Sequence, residues 1–278
     1  MFGTTIEVIR KNKNISINEL CDGIFTRAAY HRFVTQQSDT STTNFFLLLE
    51  KLKVTPEELL IMYDKSHSLN FFELLSLIEQ RYLEKDVAAL LSLSSDIQKD
   101  FPNPIQRHLI TVIQSKVDKL LDREHSECYQ HLIDYLLNTE FWTRYELALF
   151  SHCIGIFNLS LIDTLLTTSL KHFEKTTSYY NESVHLVANA LIVSIEHQST
   201  YHFEKWLTHL NAIQLKEKHF FESLIVQMFN LFNTYIIDHN DITENKILDL
   251  IKFCESIRAH NYKNLFLNLF SKIKTLDW

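Results

Sequence analysis

Apolar side chains recur at three- and four-residue spacing along nearly the whole chain, the period of helices with one buried stripe. After residue 70 the pattern is regular. Phe71, Leu74, Leu75, Ile78 and Tyr82 form one stripe. Further periodic stretches lie at about 85–99, 103–121, 124–138, 143–156, 159–175, 179–198, 201–213, 217–238, 243–258 and 260–276. Before residue 65 the stretches are shorter and sharply capped. Helices are expected at Thr4–Lys13, at 16–23 behind Ser16 with Glu19 three residues on, and after Thr26. Two more follow, at 41–52 behind hydroxyl residues and at 55–63 behind Thr55 with Pro56 at the first helical position. KSHSLN (65–70) reads as a linker.

The pattern predicts an all-α chain in two parts: a five-helix bundle over 1–65 and a long helical domain over 66–278. Three glycines and three prolines in 278 residues fit helices joined by short polar turns, and they disfavour both turn-rich β folds and glycine-rich phosphate loops. Pairing the long helices gives periods near 35 to 45 residues, the rhythm of tetratricopeptide-like helical hairpins, although the consensus signature of that repeat is missing. An irregular helical bundle is the alternative.

Charge narrows the partners. The formal net charge is −7, so contact with nucleic acid must be local. The candidate segment is TRAAYHRF (26–33), which follows SINELCDG (16–23) as the second helix of a helix-turn-helix follows the first. Ile17, Leu20, Ile24 or Phe25, Tyr30 and Phe33 would form the small core. Arg27, Ala28, His31 and Arg32 would project outward, with Gln37 just beyond the helix. Arginine reads guanine bidentately and alanine packs on a thymine methyl. Ser16 at a helix start and Arg10, with Lys13, are candidate phosphate contacts.

The segment TRAAYHRFVTQQSDTSTTNFFLLLEKLKVTPEEL resembles the N-terminal domain of the Rgg/GadR/MutR family of bacterial transcription regulators. Thr26 matches the family's hydroxyl cap, and Arg32 and Phe33 its Ser-Arg-Phe-Glu centre. Ser38 matches a later serine, and Phe45 to Leu52 the leucine-rich helix ending in Lys-Leu. FWTRYELALFSHC (141–153) is similar to the family's Trp-x-x-Tyr-Glu-x-x-Leu-Phe segment. The chain departs from the pattern at Val34, Thr35 and Gln36, and Ala28 and Ala29 replace polar residues. The resemblance implies a homodimeric regulator that binds double-stranded DNA. It also implies a short hydrophobic signalling peptide held in the groove of the helical-repeat domain.

Such a groove needs partners for peptide amides, which Asn and Gln supply as both donor and acceptor. Polar stripes fall on alternate helices: Arg144, Ser151 and His152; Asn181, His185 and Asn189; Gln227, Asn230 and Thr234, with Asn233 a further candidate contact; Asn261, Asn264 and Asn268. Arg144 is the candidate partner of a peptide carboxylate, and Tyr145, Tyr180 or Phe229 would shape apolar pockets. Fourteen histidines form no evident metal cluster; His125 and Cys128 share a face without further ligands. No enzyme motif and no cofactor motif occurs. Four scattered cysteines, no signal peptide and apolar runs too short to span a bilayer predict a cytoplasmic protein with reduced thiols. The competing reading is a helical-repeat adaptor whose N-terminal bundle no longer binds DNA.

Overall fold

In a computed structural model of the chain the described residues are 2–63, 70–100, 103–123, 129–173, 180–276 and 278. They contain sixteen α-helices and no β-strand. The chain divides into two compact units, Met1–Asn70 and Phe71–Trp278.

The first unit holds α1 (Phe2–Asn12), α2 (Ile17–Cys21), α3 (Arg27–Val34), α4 (Thr42–Leu52) and α5 (Pro56–Tyr63). The expected caps form: Ser16 Oγ accepts from Glu19 N, Thr26 Oγ1 from Ala29 N and Ser41 Oγ from Asn44 N. Thr55 and Glu58 exchange a full capping box. The core is built from Ile6, Ile9, Leu20, Tyr30, Phe33, Leu48, Leu52 and Leu59. Ile17 is exposed rather than in this core. In a five-residue helix Leu20 and Cys21 take the inward face, and Ile17 is left at its outer end. Gly23, at a backbone φ of 72°, makes the turn between α2 and α3.

The second unit runs α6 (Phe71–Leu83), α7 (Val87–Asp100), α8 (Asn103–Leu120), α9 (Gln130–Asn138), α10 (Arg144–Cys153) and, after a 3-10 turn at Ile154–Ile156, α11 (Leu159–Phe173). It continues with α12 (Tyr180–Glu196), α13 (Thr200–Ala212), α14 (Phe220–Ile237), α15 (Asp241–Ser256) and α16 (His260–Thr275). Even-numbered helices pack on one another (α6 on α8, α8 on α10, α10 on α12, α12 on α14 and α16), and odd-numbered helices back them. This is the layering of stacked helical hairpins. α12 lies at its centre, with Val184, Val187, Ala190, Leu191 and Ile195 fully or nearly fully buried.

One sequence expectation is corrected here. α14 is an 18-residue helix of mean hydropathy 1.2, long and apolar enough to cross a membrane. Its apolarity serves the core instead. Leu224, Met228, Phe229 and Phe232 are buried, Phe229 packs beside Phe203, and Phe232 stacks on Phe270.

Candidate functional site

Two surfaces carry the predicted site residues, one in each unit. In the first unit α3 buries Tyr30 and Phe33 and leaves Arg27, Ala28, His31 and Arg32 exposed; Gln37 and Ser16 are exposed too. What fixes α3 is a half-buried ionic knot. Arg10 donates to both oxygens of Glu7 at 2.7 and 2.9 Å and to the Ile15 carbonyl at 2.6 Å; the Tyr30 hydroxyl donates to Glu7 at 2.7 Å. Hydrogen bonding from Arg10, reinforced by Tyr30, holds the Glu7 carboxyl down at about 2. The knot ties α3 to α1 and to the turn before α2.

It also decides which cations are available. The Arg10 guanidinium is occupied internally. Lys13 caps the end of α4 through the Leu52 and Lys53 carbonyls, and Lys51 caps the end of α2 through the Glu19 and Asp22 carbonyls. Arg27 is steadied by Asn18 Oδ1 and points outward, while Arg32 makes no ion pair among the described residues. A cleft of about 560 Å³ opens beside Arg27, its lining including Ser16, Asn18 and His31 as well as Glu7 and Arg10 of the knot.

In the second unit the predicted polar residues on α10 and α12 link neighbouring inner helices. Arg144 Nε reaches Glu182 at 3.1 Å and its guanidinium lies over the Phe72 ring. Asn189 donates to Ser151 Oγ at 2.8 Å. His152 Nδ1 is 3.4 Å from Glu79, which Lys116 also meets at 2.8 Å. His185 lies 3.9 Å from the buried Glu222, and burial pushes its pKa down. These contacts pair early residues with early residues and late with late, so the inner helices run parallel.

Other candidates sit elsewhere. Asn230 exchanges two hydrogen bonds with Asn211 of α13, and Gln227 is on that same outward side of α14. Asn233, one turn-face round, lies on the Glu222 side and is half-buried. Asn181 and Asn264 are exposed. Phe229 is wholly buried and lines no open surface, and the side chain of Tyr180 lies outside the described residues.

Tyr145 belongs to a packed joint. Its hydroxyl is 2.8 Å from His108 Nδ1 and its ring packs at a tilt against Phe71. The neighbouring Glu146 closes a capping box with Thr143 and accepts from Tyr135 at 2.5 Å, while Trp142 donates to the Thr139 carbonyl. Leu149 and Phe150 are fully buried. The Trp-Tyr-Glu-Leu-Phe segment is therefore the structural joint between α8, α9 and α10.

Sequence reasoning missed, as site residues, Glu79, Tyr82, Lys116, Lys119, Glu196 and Lys272 of the same inner helices. Their pairings span up to 77 residues, which no local spacing encodes. Cys21, Cys153 and Cys254 are buried and free, and burial pushes their thiols up, to about 12 for Cys153. Among the described residues no three metal-ligating side chains converge; His125 and Cys128 lie outside those residues.

Comparison with known proteins places this architecture. Residues 91–268 match the family described as HTH-type transcriptional regulator Rgg, C-terminal domain. The Streptococcus dysgalactiae SHP pheromone receptor Rgg2 superposes with a TM-score of 0.78 at 21% identity, over 99% of this chain and 99% of that one. A Listeria monocytogenes EGD-e protein gives a TM-score of 0.84 at 17% identity over 98% and 96%. PrgX in complex with cCF10 gives 0.73 at 14% over 99% and 92%. At these identities the structural likeness establishes the fold, and the family match, which covers well over half of the sequence, establishes the lineage: this chain is a member of the Rgg family of transcriptional regulators.

Proposed function

We propose that the chain is a DNA-binding regulator controlled by a short hydrophobic signalling peptide, acting as a cytoplasmic homodimer. Residues 1–65 are the DNA-binding domain, and residues 66–278 bind peptide and dimerise. The observation that carries the reading is the division of labour among the N-terminal cations. Arg10, Lys13 and Lys51 are used up by Glu7 and by carbonyls, whereas Arg27 and Arg32 stand on the exposed face of α3. α3 with its alanine and histidine then enters the major groove, Arg27 and Arg32 meet guanine edges or phosphates, and Ser16 and Gln37 flank them. Arg10 acts by holding Glu7 and the turn before α2, so it positions rather than contacts.

The peptide lies along the inner layer, against Arg144, His152, Asn181, His185, Asn189, Asn233 and Asn264. Gln227 and Asn230 would join only from the edge facing α13. Rgg2 is a pheromone receptor and PrgX is solved with cCF10; the same use here would bias one arrangement of the dimer over another. The test is fluorescence anisotropy of the full chain on DNA flanking its own gene, over a salt series, beside the Arg27→Ala/Arg32→Ala double variant. Saturable, salt-sensitive binding that the double variant loses supports the regulator. Equal behaviour of a folded wild type and variant favours the adaptor.

A further inference from the structure

The last turns of three inner helices meet at a single carboxylate. Glu196, the final residue of α12, is held by Lys119 of α8, 3.3 Å from each carboxylate oxygen, and by Lys272 of α16 at 3.3 Å. α8 is joined to α12 through α10, and α16 packs directly on α12. The ends of all three helices therefore share one counter-ion at this rim.

The surroundings favour an anion. Beside the trio, Glu79 is paired with Lys116, whose ammonium lies 4.6 Å from the centre of the Tyr82 ring. Three ammoniums thus face two carboxylates, a local positive excess in a chain of net charge −7. Burial works to raise the Glu196 pKa, and the two lysines outweigh it and hold it below the ordinary carboxylate range. The position between them is therefore one where a carboxylate stays ionised. Gly155 leaves room: a Cβ there would come no nearer than 4.0 Å to the Lys119 ammonium. Both lysines keep about half of their side-chain surface exposed, so an incoming anion can reach them. Arg144, at the opposite ends of the parallel helices, offers no such excess, being matched one to one by Glu182.

We infer that Lys119 and Lys272 form a carboxylate-exchange site, in which a carboxylate of the bound peptide displaces Glu196 and ties α8 to α16 through the ligand. The inference rests on reading the inner layer as a peptide site, and it moves the peptide's ionic anchor from Arg144 to the other rim. One carboxylate replaces another, so the charge-assisted hydrogen bonds of the two lysines are conserved while Glu196 swings into water. Glu196 is then a resident competitor. Its removal must strengthen ligand binding, the opposite of what a purely structural bridge would do. The carboxylate is either the peptide's C-terminus or an acidic side chain.

The test uses the full chain and three fluorescein-labelled pools of octapeptides composed of Leu, Ile, Val, Phe and Trp: free acid, C-terminal amide, and amide with one internal Asp. The wild type should bind at least one carboxylate-bearing pool roughly tenfold more tightly than the plain amide. Glu196→Gln, an isosteric change, should widen that preference, and Lys119→Met and Lys272→Met should each abolish it, with circular dichroism reporting the fold of every variant. Preference for the free acid assigns the C-terminus, and preference for the Asp pool assigns a side chain. Equal binding of all three pools by wild type and Glu196→Gln overturns the exchange and leaves the peptide reading standing. Binding of no pool by the folded protein overturns both. Should a lysine variant misfold, a Glu196→Gln protein that binds carboxylate pools no better than wild type is sufficient to refute the exchange.

Discussion

At Gly3 the helix that bears the candidate DNA contacts comes close against α1. A Cβ placed on it would lie 2.3 Å from the Phe33 carbonyl oxygen, 2.9 Å from its carbon and 3.0 Å from Val34 Cα. All three are backbone atoms, so no side-chain rotation relieves the clash, and α1 and the end of α3 must part by more than half an ångström. Overpacking of this kind costs about 2 to 3 kcal/mol when only backbone can move. Ala for Gly in a helix returns at most about 1 kcal/mol, less near an end such as this. The net for Gly3→Ala is a loss of about 1 to 2 kcal/mol confined to the first unit. At about 1.4 kcal/mol per factor of ten, local opening should rise about five- to thirtyfold. Hydrogen exchange reads this directly: amides of Tyr30 to Phe33 should lose protection by that factor while those of α12 do not change. Unchanged or increased protection in α3 would refute the close-packing argument.

Three further outcomes follow from particular contacts. His108 is buried, and desolvation, with His131 and Arg107 nearby, pushes it down to about 4. Unfolded chains take up that proton near 6.5, so the stability it contributes is present above 6.5 and is lost as pH falls toward 4, by about 3 kcal/mol. All three tryptophans, Trp142, Trp206 and Trp278, lie in the second unit, so their fluorescence in urea titrations isolates it; His108→Phe should flatten this pH dependence, and a parallel decline would refute it. Gln198 and Arg258 end helices at φ of 52° and 61°, so replacing either with Gly should raise the second unit's unfolding free energy by about 1 kcal/mol in the same titrations; no gain would mean the side chains offset the strain. Arg144→Ala should change that stability by less than about 0.5 kcal/mol, because the Arg144 side of its pair with Glu182 is largely exposed; a larger loss would give the pair a structural role.

The helices were legible because their signals are local. Ser16, Thr26 and Ser41 cap in the structure as their spacing implies, and the apolar stripe of α6 is buried through Leu74, Leu75 and Ile78. The alternation of inner and outer helices was legible from the hairpin rhythm. Side-chain partners were not. Arg10 and Lys13 look like phosphate contacts in sequence, and only the fold turns them onto Glu7 and the end of α4. Asn230 lies in a polar stripe like those of α12, yet it pairs with Asn211 because α14 presents that side to α13. Glu196 was invisible for the same reason: both its lysines come from helices more than seventy residues away. Tyr145 shows the converse, a residue on a marked segment whose role is packing.

Whether α3 reads DNA is tested by letting the protein select its own operator. The purified chain would be mixed with sheared genomic DNA from its source organism, and the retained fragments sequenced, beside the Arg27→Ala/Arg32→Ala variant. A small, discrete set of enriched fragments carrying paired half-sites is expected, absent with the double variant. A folded wild type that enriches nothing, or a double variant that enriches the same fragments, would contradict it.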